Sequence, residues 1–272
     1  MDDVLAFCDE KFFTPYVYPE TWAEDDIYRQ ALTLWIITTI GGNILYFTCA
    51  GFSYEFLFDK RLMQHPKFLE NQIYMEIMTT VKAIPVMTAM YVPFFLAEVR
   101  GMSLLFDDIN ERGMLFNVWS IFAYIMWNDC LIYWIHRGLH HRWVYKYVHK
   151  QHHKWLVSTP FASHAFTALD GALQGSPYHL FVFVHPINKY LFLAAFAAVN
   201  IWTVYIHGSG IEMGPFLRKV VNDEAHHEDH HLFFNYNHGQ YFTFWDRIGG
   251  TYREPSRYRG KSPRDELKLK GL

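Results

Sequence analysis

Four apolar stretches alternate with polar segments along the chain. Residues 31–50 run for 20 positions without a charge, the length of helix that crosses a bilayer core of about 30 Å. Residues 83–97 are uncharged and include Pro85 and Pro93; residues 114–135 are apolar around Asn128 and Asp129. The fourth stretch, 172–206, is broken by Pro177, Pro186 and Lys189. A soluble helix as long as 31–50 carries a polar face, and this one has none. The pattern predicts an all-α integral membrane protein with three to four transmembrane helices plus a membrane hairpin. Its organisation is an N-terminal segment (1–30), transmembrane helices (31–135), a polar histidine-bearing segment (136–171), the hairpin (172–206) and a polar C-terminal region (207–272).

Charge orients these segments. The N-terminal segment is acidic, with Asp2, Asp3, Asp9, Glu10, Glu20, Glu24, Asp25 and Asp26 against Lys11 and Arg29. Lys60, Arg61, Lys67 and Lys82 follow the first span, and Arg137, Arg142, Lys146, Lys150 and Lys154 follow the third. Because basic loops stay cytosolic, this predicts a lumenal N-terminus and a cytosolic 136–171 segment. The fourth stretch must then dip into the membrane and return, with prolines breaking its helical bonding. Lys268 and Lys270 resemble a cytosolic dilysine retrieval signal for the endoplasmic reticulum.

Composition changes this picture in two respects. Hydrophobic residues are 51% and charged residues 19%, yet mean hydropathy is −0.04, an average over bilayer segments and a polar cap. The net charge of −3 gives no basic field for nucleic acid. Cys8, Cys49 and Cys130 are too scattered for a disulfide framework or a thiolate metal site. The remaining anomaly is 16 histidines, of which 15 lie between positions 136 and 238.

Ten of them form three clusters: HRGLHH (His136, His140, His141), HKQHH (His149, His152, His153) and HHEDHH (His226, His227, His230, His231). Offsets of three and four place imidazoles on one face of a helix, where rings converge on an ion. So many imidazoles exceed the three or four ligands of a single zinc and suit two ions. Imidazole favours iron, zinc, copper or nickel, and leaves the choice between iron and zinc open. His164 and His207 join the candidate ligand set, whereas His65, His179, His185 and His238 read as surface or structural. Asp129, Asp170, Asn222, Asp223 and Asp246 are candidates to orient the rings. A histidine-rich metal-binding or transport protein, or a pH-sensing patch, would share these features.

The three clusters are similar to the histidine boxes of the fatty acid hydroxylase / sterol desaturase superfamily. FFTPYVYP (12–19), TPFASHAF (159–166), NIWTVYIHG (200–208) and FNYNHGQYFTFWDRIGGTYREP (234–255) resemble its sterol C5-desaturase (lathosterol oxidase) branch, from about residue 12 to residue 263. The resemblance implies a di-iron, O2-dependent enzyme of the endoplasmic reticulum membrane with a cytosolic active site and C-terminus. Such an enzyme converts a Δ7-sterol to the Δ5,7-diene, with electrons from NAD(P)H through cytochrome b5 and its reductase. Zinc is the alternative occupant in a purified sample. A hydroxylase or methyl-sterol oxidase of the same superfamily is the neighbouring reading. Two departures stand out. Thr167 occupies a position where the branch has a histidine, making it a candidate for contact with the ligand shell or for impaired catalysis. His207 is followed by Gly208 and Ser209 instead of Asp-Gly. A sterol entering from membrane lipid needs an aromatic slot, for which Phe161, Phe166, Tyr178 and Trp202 are candidates, and one polar contact for its hydroxyl.

Overall fold

In the computed structural model, which describes residues 1–271, each of the first three apolar stretches folds into one long helix and the fourth into two helices joined by a corner. A short N-terminal helix (α1, Asp2–Cys8) precedes α2 (Ile27–Phe56), α3 (Gln72–Val99) and α4 (Gly113–Leu139), each long and apolar enough to cross a membrane. All three outrun the uncharged stretches that announce them. Asp26 starts α2 by accepting from the N–H groups of Tyr28 and Arg29. α3 extends eleven residues ahead of its uncharged run because Gln72, Glu76 and Thr80 are buried there. Glu76 accepts from Gln72 Nε2 at 2.8 Å and from the Thr159 hydroxyl, so a carboxylate that hydropathy penalises is satisfied inside.

The ends of the helices define two sides. On one side Arg100, after α3, donates to Gln30 (3.1 Å) and to the Asp25 carbonyl (2.7 Å) beside the start of α2. On the other side Gln72 Nε2 donates to the Val157 carbonyl (2.8 Å), and His65 meets Glu266 at 3.1 Å. The fourth stretch forms the expected hairpin of α5 (Ala168–Leu180) and α6 (Lys189–Tyr205). Its corner is pinned on the Arg100 side. There Ile187–Asn188 (β2) pairs in parallel with Leu105–Phe106 (β1), and Lys189 meets Asp107 at 3.0 Å. Asn188 caps α6 and also donates to the carbonyls of Phe106 and Asp107. At 1.5 Å per residue, the 17 residues of α6 climb about 26 Å back to the opposite side.

α3 packs between α2 and α5, and α5 also packs on α4. Trp35 donates its indole N–H to the Pro85 carbonyl (2.8 Å), and the Thr39 and Thr88 hydroxyls meet at 2.7 Å. Hydrogen bonds of this kind join helices where lipid supplies no hydrophobic drive. The outward faces expose Ile40, Ile44, Val118, Phe122, Leu193 and Ile201, as a lipid-facing surface requires. Over the His65 side lies a cap of turns and short helices: α7 (Glu224–Phe233), α8 (Phe244–Gly249) and α9 (Pro263–Leu269).

α5 approaches α3 through glycines. The Tyr91 hydroxyl donates to the carbonyls of Gly171 (2.7 Å) and Ala172 (3.1 Å), and a Cβ at Gly175 would overlap the Tyr91 phenol. Gly175→Ala is expected to lower thermal stability in detergent by about 1–3 kcal/mol through this overpacking. Gly51→Ala, in open space on α2, serves as the neutral control.

Candidate metal centre

Nine histidines gather into two groups at the cap end of the helices. The first holds His136, His140, His149, His153 and His230; the second holds His152, His207, His227 and His231. Within each group the ligand atoms lie within 4.8 Å of one another. Box one closes α4, with His136 in its last turn and His140 at its C-cap. Box two lies in turns and a single 3-10 turn rather than the expected α-helix, while box three is α7 itself. The spacing also divides the boxes in a way the expectation of one shared face missed. At 100° per residue, positions i and i+4 lie about 40° apart and i+3 falls about 100° from i+4. In box three, an α-helix, this places His227 and His231 in the second group and His230 in the first; box two divides alike through its turns, with His149 and His153 in the first group and His152 in the second.

Hydrogen bonds fix which ring nitrogen is bare. His136 Nδ1 lies 2.9 Å from the His238 carbonyl, His230 Nδ1 2.7 Å from the Tyr236 carbonyl, and His207 Nδ1 2.7 Å from the Thr203 carbonyl. A carbonyl only accepts, so each Nδ1 carries the proton and each Nε2 presents a lone pair. His149 Nδ1 donates likewise to Asp170 Oδ2 at 2.7 Å. The bare Nε2 atoms of His136 and His149 then face each other at 3.1 Å, and His149 Nε2 also lies 3.1 Å from His153 Nε2. In the second group His227 Nε2 lies 2.9 Å from His207 Nε2 and 3.1 Å from His231 Nε2. Converging lone pairs repel unless a cation lies among them. Ligands about 2.1 Å from one ion and 90–110° apart are about 3.0–3.4 Å from each other, and the observed spacings match. The residues present therefore fit two metal ions with mostly neutral ligands. Burial, reinforced by neighbouring imidazoles, holds His140 down at about 2, and burial holds His207 at about 3, so both rings are neutral at pH 7.

The carboxylates around the site position it in two ways. Asp170 touches His149 directly. Asp129 Oδ1 accepts from the N–H groups of Tyr241 and Phe242, and Asp246 accepts from those of His238 and Gly239. Asn222 Nδ2 donates to the Phe242 carbonyl and to Asp246. These three hold the 237–242 loop, whose His238 carbonyl orients His136. Thr167 lies outside both histidine groups. It caps α5 by accepting from Asp170 N–H (3.2 Å) and donates to the Val148 carbonyl (2.8 Å), which ties the helix bearing Asp170 to box two. Among the described residues, Glu228 and Asp229 turn away from the centres. Arg257 meets Glu224 and Glu228 at 3.0 and 2.9 Å, and Arg253 meets Asp229 at 3.0 Å.

Three histidines of the expected ligand set stay outside the two groups. His141, past the end of α4, is exposed beside Trp143. His226 is buried, but Asp223 holds its Nδ1 at 2.8 Å in the capping box of α7, and its ring lies against Tyr252 and Tyr258. His164 is engaged by Ser163 at 3.0 Å and Asn200 at 3.3 Å. His238, read as surface or structural, also lies outside both groups, but it is buried with its ring 4.8 Å from that of His140 and 5.2 Å from that of His230, and neither of its ring nitrogens has a hydrogen-bond partner. A lone histidine has no spacing to reveal it; its place in the FNYNHGQYF motif was the available signal.

Beneath the second group a cavity of about 120 Å³ opens among His152, His207, His227, Phe166, Tyr178 and Asn200. It adjoins a mostly apolar groove of about 520 Å³ between α2, α3 and α6, and the two share Met87, Tyr91, His164, His179, Phe196 and Asn200. Phe166 and Tyr178 line the smaller cavity as expected. Phe161 instead packs against Tyr46, and Trp202 donates to the Gln240 carbonyl.

The signature of the fatty acid hydroxylase family spans residues 121–251, which include all three boxes. The chain is 52% identical to human lathosterol oxidase over 270 residues, 98% of this chain and 90% of that one. It belongs to the sterol C5-desaturase (lathosterol oxidase) family. The desaturase is also 46% identical to the Δ7-sterol 5(6)-desaturase of Schizosaccharomyces pombe, over 94% of this chain and 84% of that one. No solved structure matches it. Family and site agree on an oxidoreductase of the sterol desaturase type.

Asp170→Asn is expected to weaken metal binding by about 10–100-fold, because the carboxylate fixes the tautomer and orientation of His149. Metal content after dialysis against graded chelator reads this loss. The depressed imidazole pKa values also set an acid limit. Each such histidine binds a proton more readily unfolded, near pH 6.5, than folded. Melting temperature of the chelator-treated desaturase is therefore expected to hold above about pH 6.5 and to fall steadily below it.

Proposed function

We propose that the desaturase is a di-iron, O2-dependent sterol C5(6)-desaturase that converts a Δ7-sterol such as lathosterol to the Δ5,7-diene. The observation that carries this reading is the pair of converging imidazole sets beside a cavity that adjoins a mostly apolar groove between α2, α3 and α6. Overall, the C5–H and C6–H bonds break and the C5=C6 bond forms. O2 takes up these two hydrogens together with two electrons and two protons and leaves as two waters. NADH supplies the electrons through cytochrome b5 and its reductase.

The residues serve this chemistry by holding, orienting and excluding. His136, His140, His149, His153 and His230 would hold one iron, and His152, His207, His227 and His231 the other. Bound iron supplies the capacity to activate O2 toward unactivated C–H bonds. Backbone carbonyls keep the Nδ1 protons of His136, His207 and His230 in place, and Asp170 keeps that of His149, so the donor nitrogens stay directed inward. Phe166, Tyr178 and Phe196 line the approach from the groove with aromatic surface and keep bulk water from the reacting carbons. The basic residues of 57–71 and 136–171 support a cytosolic cap on an endoplasmic reticulum membrane, on the side where NADH is available.

Microsomes containing the desaturase are expected to form the Δ5,7-diene from lathosterol only when both NADH and O2 are supplied, with product identified by mass spectrometry. His152→Ala should reduce that product to background while membrane insertion persists. Oxidation of a C4 methyl group instead would make the enzyme a methyl-sterol oxidase. Exchangeable zinc without O2 consumption would make the chain a metal-binding protein.

A further inference from the structure

The proposed C5(6) chemistry, on which this inference rests, restricts where the sterol hydroxyl can lie. In any sterol the 3-hydroxyl carbon is two ring bonds from C5, whereas the side chain leaves from the far end of the ring system. With C5 and C6 facing the histidine groups, the hydroxyl must sit in the small cavity beside them and the side chain must point away. The two adjoining cavities have this form. The long groove leads from the junction to Val4, Leu105 and Tyr190 near the hairpin corner.

Within the small cavity Gln174 donates to Asp170, Tyr178 meets the Tyr241 hydroxyl, Thr203 donates to the Val199 carbonyl and Gln240 donates to Thr203. Four further polar side chains line both the small cavity and the groove: Tyr91, His164, His179 and Asn200. The Tyr91 hydroxyl is already given to the Gly171 and Ala172 carbonyls. His179 lies nine residues beyond Asp170 on α5, about 14 Å farther along the axis from the residue that holds His149. His164 and Asn200 are nearer: one ring, Phe166, stands between His164 and His152, with centroids 6.0 and 5.9 Å away. They are also pre-oriented. The Ser163 hydroxyl lies 3.0 Å from His164 Nδ1, His164 Nε2 lies 3.3 Å from Asn200 Oδ1, and Asn200 Nδ2 donates to the Phe196 carbonyl at 2.7 Å. An amide oxygen only accepts, so His164 carries its proton on Nε2 and takes the Ser163 hydroxyl proton on Nδ1. Asn200 is left with one N–H and one oxygen lone pair, the complement of an alcohol that both accepts and donates. We propose that Asn200, oriented by His164 and Ser163, receives the sterol 3-hydroxyl and thereby sets substrate specificity, with the sterol side chain lying in the groove between α2, α3 and α6. A sterol already in the leaflet on the metal side has this polarity, hydroxyl toward the interface and tail toward the midplane, and enters without inverting.

The test compares lathosterol with its 3-deoxy analogue, cholest-7-ene, using the full-length enzyme in microsomes. The wild-type enzyme is expected to favour lathosterol in kcat/KM by about tenfold or more, since the analogue leaves the Asn200 amide unpaired. In Asn200→Leu that preference should shrink toward unity, and in His164→Phe it should shrink partway. The ratio is taken within one sample, so it is independent of the folded fraction. If a variant makes too little product, equilibrium binding of the two sterols to purified protein gives the same ratio. A preference that persists in Asn200→Leu overturns the assignment, and so does a wild-type enzyme that does not discriminate. Failure of the wild-type enzyme to desaturate either sterol marks instead the failure of the C5(6) reading, and the assignment falls with it.

Discussion

The centre depends on hydrogen bonds that point away from it. Carbonyl oxygens at Thr203, Tyr236 and His238, with the Asp170 carboxylate, each draw an Nδ1 proton outward. Each leaves a bare Nε2 turned inward, where the lone pairs crowd one another at 2.9–3.3 Å. Such an arrangement is costly without positive charge among the rings and favourable with it. Elsewhere in the fold the same requirement recurs one layer out. Asp129, Asp246 and Asn222 hold the loop that carries the His238 carbonyl, and Thr167 anchors the helix that carries Asp170.

The membrane helices supply the frame for this layer. α4 delivers His136 and His140, the return limb α6 delivers His207 directly after its last turn, and α5 brings Asp170 up to box two. The hairpin corner is pinned by Asn188 and Lys189, so α5 and α6 enter the cap from a fixed base. The cavity beneath the second group and the long groove are the space these limbs leave against α2 and α3.

Much of this was legible in the chain. Residues 31–50 announce a span because no charge interrupts them, and the HxxHH spacings announce a centre because helical offsets bring imidazoles together. The division of labour within box three was legible in principle, since on an α-helix i and i+4 share a direction that i+3 does not; that within box two rests on turns the spacing does not reveal. What spacing could not show depends on contacts distant in sequence. Glu76 is compatible with a buried helix only through Thr159. His238 reaches the first group only because Asp246 and Asp129 fold its loop inward. His164 and His226 have the right side chain but are claimed by nearer partners, Asn200 and Asp223. Thr167 shows the converse: a residue expected to contact the ligand shell serves as a helix cap.

The outward-facing acids of α7 give the C-terminal region a stake in the centre. His227, His230 and His231 of this helix enter the two histidine groups, while Glu224, Glu228 and Asp229 hold Arg257, Arg253 and Ser256. One ten-residue helix thus answers to both histidine groups and the segment that follows. Any free energy by which metal occupancy steadies α7 is returned, by thermodynamic reciprocity, as tighter docking of residues 253–257. The centre and the tail are in this sense two effectors of a single element, each reporting the presence of the other.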